Sequence, residues 1–132
     1  MLNNRGFTLI EMMFVLSLTI IISNIGFFYH RATITQEDQL ALVRSTFDLA
    51  RIHAIVDKET VKVEVSSQEI MIHSNSFNKT VSLNDGYHFI NNHSFSYNDS
   101  GHIKIAKRII LQAPKKKYAF VFQLGSGTYY VE

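Results

Sequence analysis

A single carboxylate stands near the start of a long apolar run. Glu11 is the only formal charge among the 22 residues from Phe7 to Phe28, and a helix that spans a membrane needs about 20 apolar residues. An ionised acid in such a helix is costly, so it marks a functional site unless it simply reaches the headgroups. The sequence therefore predicts an anchored chain in which Glu11 is a candidate functional residue.

A short polar and basic leader, Met1 to Gly6, precedes the apolar run. A secretory signal peptide instead has an apolar region of about 7 to 15 residues that is followed by small residues at a cleavage site. The end of the run, Ser23 to Phe28, has no such pattern. We therefore expect the apolar segment to remain in the mature protein as one transmembrane helix over residues 7–28.

The other residues with chemical potential do not form a recognisable site. His73, His88, His93 and His102 could meet on neighbouring strands, and imidazole is a good zinc ligand. None of them belongs to a short ligand pair such as H-E-x-x-H, and the chain has no cysteine. Gly125-Ser126-Gly127 is not a G-x-S-x-G motif and is typical of a turn between strands. We expect no metal, no cofactor, no catalytic residue and no enzyme activity.

A run of lysines, Lys115 to Lys117, follows the single proline of the chain. Other basic residues and several aromatic residues are near it in sequence: Lys104, Lys107, Arg108, Tyr118, Phe120 and Phe122. Such a group could contact phosphates and stack on bases. A solvated turn, or lysines that protect a strand edge, is the other interpretation, and the aromatic residues would then belong to the core. DNA contact by Lys115, Lys116 and Lys117 stays open on the sequence alone.

Two kinds of periodicity define the elements that would position these residues. After the apolar run, apolar residues follow helical spacing in two stripes: Leu40, Val43, Phe47, Ala50 and Ala54 in the first, and Leu42, Leu49 and Val56 in the second. This predicts a continuous helix whose amphipathic part covers residues 29–58. Either the second stripe packs on neighbouring helices of an assembly, or both stripes are buried in one wide core face.

From residue 59 onward the period changes to two. Val61, Val63 and Val65 alternate with polar residues and are followed by Ile70 and Ile72, which predicts a hairpin around residues 66–67. Further strands are predicted over residues 80–83, 87–90, 94–97, 102–105, 108–112, 118–124 and 128–131, with turns at 84–86, 98–101 and 125–127. Short, regularly spaced strands favour antiparallel sheets, so residues 59–132 are predicted to form an extracytoplasmic β-rich domain. The net charge of +2 demands no strongly charged partner, and zero cysteines exclude disulfides.

The stretch Gly6-Phe7-Thr8-Leu9-Ile10-Glu11, behind its short basic leader, resembles the start of the type IV pilins. This resemblance implies that a prepilin peptidase removes the leader peptide, residues 1–6, by cleavage between Gly6 and Phe7. It also implies N-methylation at Phe7, and assembly through a contact between Glu11 and the terminal amine of a neighbouring subunit. The chain would be a single-pass cell membrane protein with its N-terminus in the cytoplasm and its C-terminal domain outside, in the cell wall or at the surface when it is part of a pilus.

A long N-terminal helix packed on an antiparallel β-domain is the pilin-like layout of the α+β class. The β-rich half, and residues 117–127 in particular, resembles the minor pseudopilins of the GspH/FimT group and, among them, the competence pseudopilins of Gram-positive bacteria. The resemblance implies a minor subunit of the pilus that takes up external DNA in transformation. Its partners would be other major and minor pseudopilins, the prepilin peptidase and, indirectly, the assembly ATPase and the membrane platform protein. A minor subunit of a type II secretion system or of a type IV pilus, and a DNA-binding module at the pilus tip, stay open as alternatives.

Overall fold

The first helix of the chain, α1, covers Leu9–Tyr29. The structure is a computed structural model that describes residues 8–29 and 35–132. The chain divides into two units, Met1–Thr33 and Ile34–Glu132. Helix α1 belongs to the first unit and coincides with most of the apolar run. The predicted cleavage and methylation site, Gly6 and Phe7, lies outside the described residues.

The second unit begins with a separate helix, α2, over Gln36–Val56. Thr35 is extended (φ −73°, ψ 164°), and its hydroxyl accepts the Asp38 backbone N–H at 3.2 Å while the Asp38 carboxylate accepts the Thr35 backbone N–H at 2.9 Å. This reciprocal pair is a capping box, which satisfies N–H groups that a helix start leaves without partners. The predicted continuous helix from residue 7 to residue 58 is therefore not confirmed, because α2 has its own start and ends two residues early.

The β-strands form two antiparallel sheets of four strands each. The first sheet has the order β3-β2-β1-β5, and its strands cover Val61–Val65 (β1), Glu69–His73 (β2), Asn78–Ser82 (β3) and His93–Tyr97 (β5). The second has the order β4-β6-β7-β8, and its strands cover His88–Phe89 (β4), Lys107–Gln112 (β6), Lys117–Phe122 (β7) and Tyr129–Val131 (β8). The predicted hairpin around residues 66–67 is confirmed, with Val63 opposite Ile72. The α+β class is confirmed as well.

One predicted strand is wrong. Residues 102–105 make only an isolated bridge, between Ile103 and Tyr97. The Asn98 side-chain carbonyl accepts the backbone N–H groups of Ser100 and His102 at 3.1 and 2.8 Å, so local side-chain bonds compete with a strand ladder at this turn. Alternating residue types could not reveal that competition.

Helix α2 packs on both sheets through Phe47, which is fully buried. Its ring centroid lies 6.1 Å from that of Phe95 in the first sheet, and 5.5 and 5.2 Å from those of Phe120 and Phe122 in the second. These distances and the tilted or edge-on angles are those that aromatic pairs prefer. One core therefore joins α2 and the two sheets within the second unit.

The two apolar stripes of α2 have different surroundings. Val43, Phe47 and the two alanines of the first stripe are fully buried, whereas Val56 of the second stripe is 69% exposed and Leu42 is 38% exposed. The interpretation that both stripes are buried in one wide core face is therefore wrong. Packing of the second stripe on neighbouring helices stays a prediction.

Candidate functional site

The start of α1 is organised by Thr8 and Glu11. The Glu11 carboxylate oxygen Oε2 accepts the Thr8 backbone N–H at 2.8 Å and the Thr8 hydroxyl at 2.9 Å, while the Thr8 hydroxyl accepts the Glu11 N–H at 3.3 Å. A Thr and a Glu three residues apart that bond in this reciprocal way form a capping box. Glu11 therefore stabilises the first turn of its own helix.

This geometry gives Glu11 a helix-capping role that was not predicted from the sequence. The motif T-x-x-E was visible in the sequence at residues 8–11 and is the known signature of a capped helix start. Glu11 is nevertheless exposed, and both hydrogen bonds that its carboxylate accepts within the described part of the chain use the one oxygen, Oε2. The second carboxylate oxygen has no donor among the described residues and is available to a cation such as a terminal amine. Capping and an intersubunit ion pair are thus compatible on the same side chain.

The side chains of α1 form an uncovered apolar surface over residues 9–22. Each large apolar side chain there is at least 42% exposed, and Leu9 is 81% exposed. The hydroxyls on this helix are hydrogen-bonded within it: Ser17 donates to the Phe14 carbonyl at 2.8 Å and Thr19 donates to the Val15 carbonyl at 2.9 Å. A helix that is apolar all round is normally buried in protein or lipid. The apolar side chains of α1 over residues 9–22 therefore suit a lipid or protein environment.

A membrane span was predicted over residues 7–28. Among the residues that the structure describes, no helix is both long enough and apolar enough to cross a membrane.

The N-terminal segment also has a match among protein families. Residues 1–23 match the prokaryotic N-terminal methylation motif. The methylation motif supports a type IV pilin-like protein or pseudopilin that is processed as a prepilin, and such a motif implies assembly with other pilins and an encounter with prepilin peptidase. No curated protein and no solved structure matches the chain. The motif contains Gly6, Phe7 and Glu11, whose individual roles stay predictions.

Lys115 and Lys116 lie in the turn of the β6–β7 hairpin, Lys117 is the first residue of β7, and all three side chains are exposed. The Ala113 N–H donates to the Lys116 carbonyl at 2.8 Å, which closes the turn, and the Lys116 ammonium lies 5.1 Å from the centre of the Tyr118 ring. These contacts agree with the interpretation as a solvated turn.

The structure does not bring the remaining basic and aromatic residues to this turn. In the hairpin register Gln112 is opposite Lys117 but Lys107 is opposite Phe122, so Lys107 lies five residues, or about 17 Å, from the turn end of β6. Arg108, next to Lys107, is paired with Glu132 at 2.9 Å. Phe120 and Phe122 are buried in the core, as the second interpretation of the sequence predicted. A platform of stacked bases on these two rings is excluded.

The histidines and Ser126 do not meet in a site. His73 and His93 lie near opposite ends of β1, beside Lys62 and Val65, while His88 lies in the other sheet. Among the described residues, no group of three or more His, Asp or Glu side chains is placed to hold a metal ion. The Ser126 hydroxyl lies 2.7 Å from the Thr128 hydroxyl, within the predicted turn.

A structural cluster that the sequence did not indicate surrounds Arg51 on α2. Its guanidinium donates to the carbonyls of Gly101 and Ser126 at 3.2 and 3.3 Å. Gly101 and Gly127 both have positive φ, and a Cβ atom on Gly127 would lie 1.9 Å from the Gly101 carbonyl oxygen. Arg51 therefore joins two turns, residues 98–101 and 125–127, to the helix. The turns were predictable from their glycines, but their meeting depends on the tertiary fold.

Proposed function

We propose that this chain is a minor pseudopilin of a competence pilus of the ComGD type, needed for filament assembly and for uptake of external DNA. The match of residues 1–23 to the methylation motif supports the pilin-like part of the proposal, and the resemblance of the β-rich half to competence pseudopilins motivates the choice of filament. The exposed, capped Glu11 at the start of an apolar helix supports it, because this side chain can still accept a neighbour's amine. The proposed role is one of assembly, in which the chain makes and breaks no covalent bond.

The proposal includes a membrane anchor. The apolar residues 7–28 would hold the subunit in the bilayer before assembly, with the leader on the cytoplasmic side and the β-domain outside. After cleavage between Gly6 and Phe7, the new amine of one subunit would pair with Glu11 of the next. Opposite charges attract strongly where the dielectric constant is low, so this pair would set the register between subunits.

Processing is the first thing to test. Gly6→Val should leave an uncleaved precursor and abolish transformation, because a bulky residue replaces the glycine that precedes the predicted cleavage site. Asn3→Val, in the same leader but away from the predicted cleavage site, should be processed normally. Mass spectrometry of the purified chain would report cleavage and methylation at Phe7. Normal processing of Gly6→Val would refute the prepilin assignment.

The kind of filament needs a second test. Deletion of the gene followed by assays of DNA uptake, protein secretion and twitching motility separates the three kinds of pilus. Loss of DNA uptake alone supports the competence role. Loss of secretion or motility instead would assign the chain to a type II secretion system or a type IV pilus, whose minor subunits share the same leader.

A further inference from the structure

Strand β5 forms one edge of the first sheet, where only β1 is paired with it. In the β1–β2 hairpin the Ser66 N–H donates to the Glu69 carbonyl at 2.9 Å, so the backbone groups of Ser66 face β2. Successive residues of a strand turn their backbone groups to opposite sides, so those of Val65 and Val63 face β5. There the two valines are opposite His93 and Phe95. The intervening residues of β5 therefore point their backbone groups away from the sheet.

The outward-pointing groups are those of Ser94 and Ser96. The bridge between Tyr97 and Ile103 closes this edge beside the Ser96 carbonyl. The N–H and carbonyl of Ser94 and the N–H of Ser96 remain without a ladder partner in the described part of the chain. An exposed edge with unpaired donors and acceptors is a template for another strand.

A groove of about 420 Å³ lies along this edge. Its lining includes Ser94, Phe95, Ser96, Lys104, Ile105 and Lys107. The segment from Ile103 to Lys107 forms the far wall as the chain leaves the bridge and enters β6. Ile105 is 65% exposed there, which offers an apolar contact to an occupant.

The groove carries positive charge without a compensating acid. Lys104 and Lys107 are its only charged lining residues, and neither forms an ion pair with any residue that the structure describes. The nearest acid by register, Glu64, is already paired with Lys62 at 2.5 Å. Partial burial, together with the Lys107 cation, lowers the pKa of His93 at the same edge. The occupant that complements this groove is therefore acidic.

We propose that this groove binds an extended acidic segment of another protein, which pairs with the free edge of β5 and places carboxylates on Lys104 and Lys107. Alternating backbone donors and acceptors recognise a polypeptide, and alternate side chains supply specificity in strand addition. A nucleic acid fits less well, because the groove presents no exposed aromatic ring for base stacking. The proposal does not depend on the assignment to a competence pilus.

The test uses the full chain in detergent micelles and two blocked peptides, acetyl-Val-Glu-Val-Glu-Val-amide and acetyl-Val-Lys-Val-Lys-Val-amide. The acidic peptide should shift the amide resonances of Ser94 and Ser96 and slow their hydrogen exchange, and the basic peptide should not. Ser96→Pro removes one edge donor and should weaken binding of the acidic peptide. The fold should tolerate it, because this N–H points away from β1.

The second part of the test reverses the charge of the two lysines that line the groove. Lys104→Glu with Lys107→Glu should weaken binding of the acidic peptide about tenfold, as expected when two attractive contacts become repulsive. Lys115→Glu with Lys116→Glu makes the same change of net charge on a distant turn and should leave the affinity within twofold. The proposal is overturned if neither peptide affects Ser94 and Ser96, if both peptides bind equally, or if a deoxythymidine decamer occupies this edge and the acidic peptide does not.

Discussion

The Thr8 hydroxyl lies 2.9 Å from the Glu11 carboxylate, and the Thr8 backbone N–H reaches the same carboxylate oxygen at 2.8 Å. Glu11 thus has a contact inside its own helix in addition to the contact with a neighbouring subunit that the sequence suggests. Removing the whole side chain would affect both. Variants that remove one contact at a time can separate them.

Glu11→Gln should be processed normally and yet assemble poorly. Glutamine can keep the capping box, but it carries no charge for the neighbour's amine. Thr8→Ala should weaken the helix start by about 1 kcal/mol and yet still assemble, because the Glu11 carboxylate remains. Glu11→Ala should also be processed and should assemble poorly. Immunoblots of the cell-bound and sheared filament fractions would show these differences, and normal filaments from Glu11→Gln would remove the ion-pair role.

The lysine turn should contribute little to DNA retention. Lys115→Glu, Lys116→Glu and Lys117→Glu together should change the DNA held at the cell surface by less than about twofold, since screened, solvated cations without stacking partners bind nucleic acid weakly. Retention of labelled DNA by cells at low and high salt would measure this. A strong, salt-dependent loss in the triple variant would establish the turn as a DNA contact.

Two glycines near the C-terminus offer a matched pair of substitutions. Gly127→Ala should lower the free energy of unfolding by about 3 kcal/mol, because it adds a clash with a backbone carbonyl to the strain of a positive φ. Gly125→Ala has a similar φ of +77° but nothing within 4 Å, so only the strain of about 1 kcal/mol is expected. Denaturant unfolding of the full chain in detergent would compare them. Equal losses would show that the two turns do not meet as described.

Two tyrosines should make the fold sensitive to alkali. Tyr97 is fully buried and its hydroxyl has no hydrogen-bond partner in the described part of the chain, whereas the Tyr129 hydroxyl lies 3.1 Å from both the Arg44 carbonyl and the Asp48 carboxylate, either of which can accept its one proton. Burial first, and then the negative charge of Asp48, raises the pKa of Tyr129; burial is also the main cause of the raised pKa of Tyr97. Both phenols therefore stay protonated in the folded chain when the unfolded chain begins to lose these protons.

Stability should fall as the pH rises above about 10, by up to about 1.4 kcal/mol per pH unit for Tyr97. Tyr97→Phe should flatten this fall and raise the free energy of unfolding at pH 7 by about 1 kcal/mol, since it removes a buried hydroxyl without a partner. Tyr129→Phe should lower stability at pH 7 by about 1 kcal/mol, since it removes the hydroxyl that donates to the Arg44 carbonyl or the Asp48 carboxylate. Unfolding curves from pH 7 to pH 11 would check both, and a destabilised Tyr97→Phe would mean that its hydroxyl has a partner.

Much of this fold was predictable because local pattern and tertiary structure agree. The alternating valines of β1 are fully or almost fully buried, and most predicted strands coincide with observed ones within two residues. The start of α2 was missed, although the Thr35 and Asp38 pair resembles the capping signature in the sequence. The exposed edge at Ser94 and the meeting of Gly101 with Gly127 depend on contacts between distant segments, which periodicity does not encode.

The contact that Arg51 makes with two turns also limits how the chain can vary in length. Residues 98–101 and 125–127 approach each other too closely for a side chain to fit between Gly127 and the Gly101 carbonyl, and a carbonyl from each turn accepts a hydrogen bond from the Arg51 guanidinium. An inserted residue in either turn would displace the other and leave Arg51 without one of its acceptors. Epitope tags and loop grafts should therefore be tolerated far better in the lysine turn at residues 114–116 than at this end of the domain.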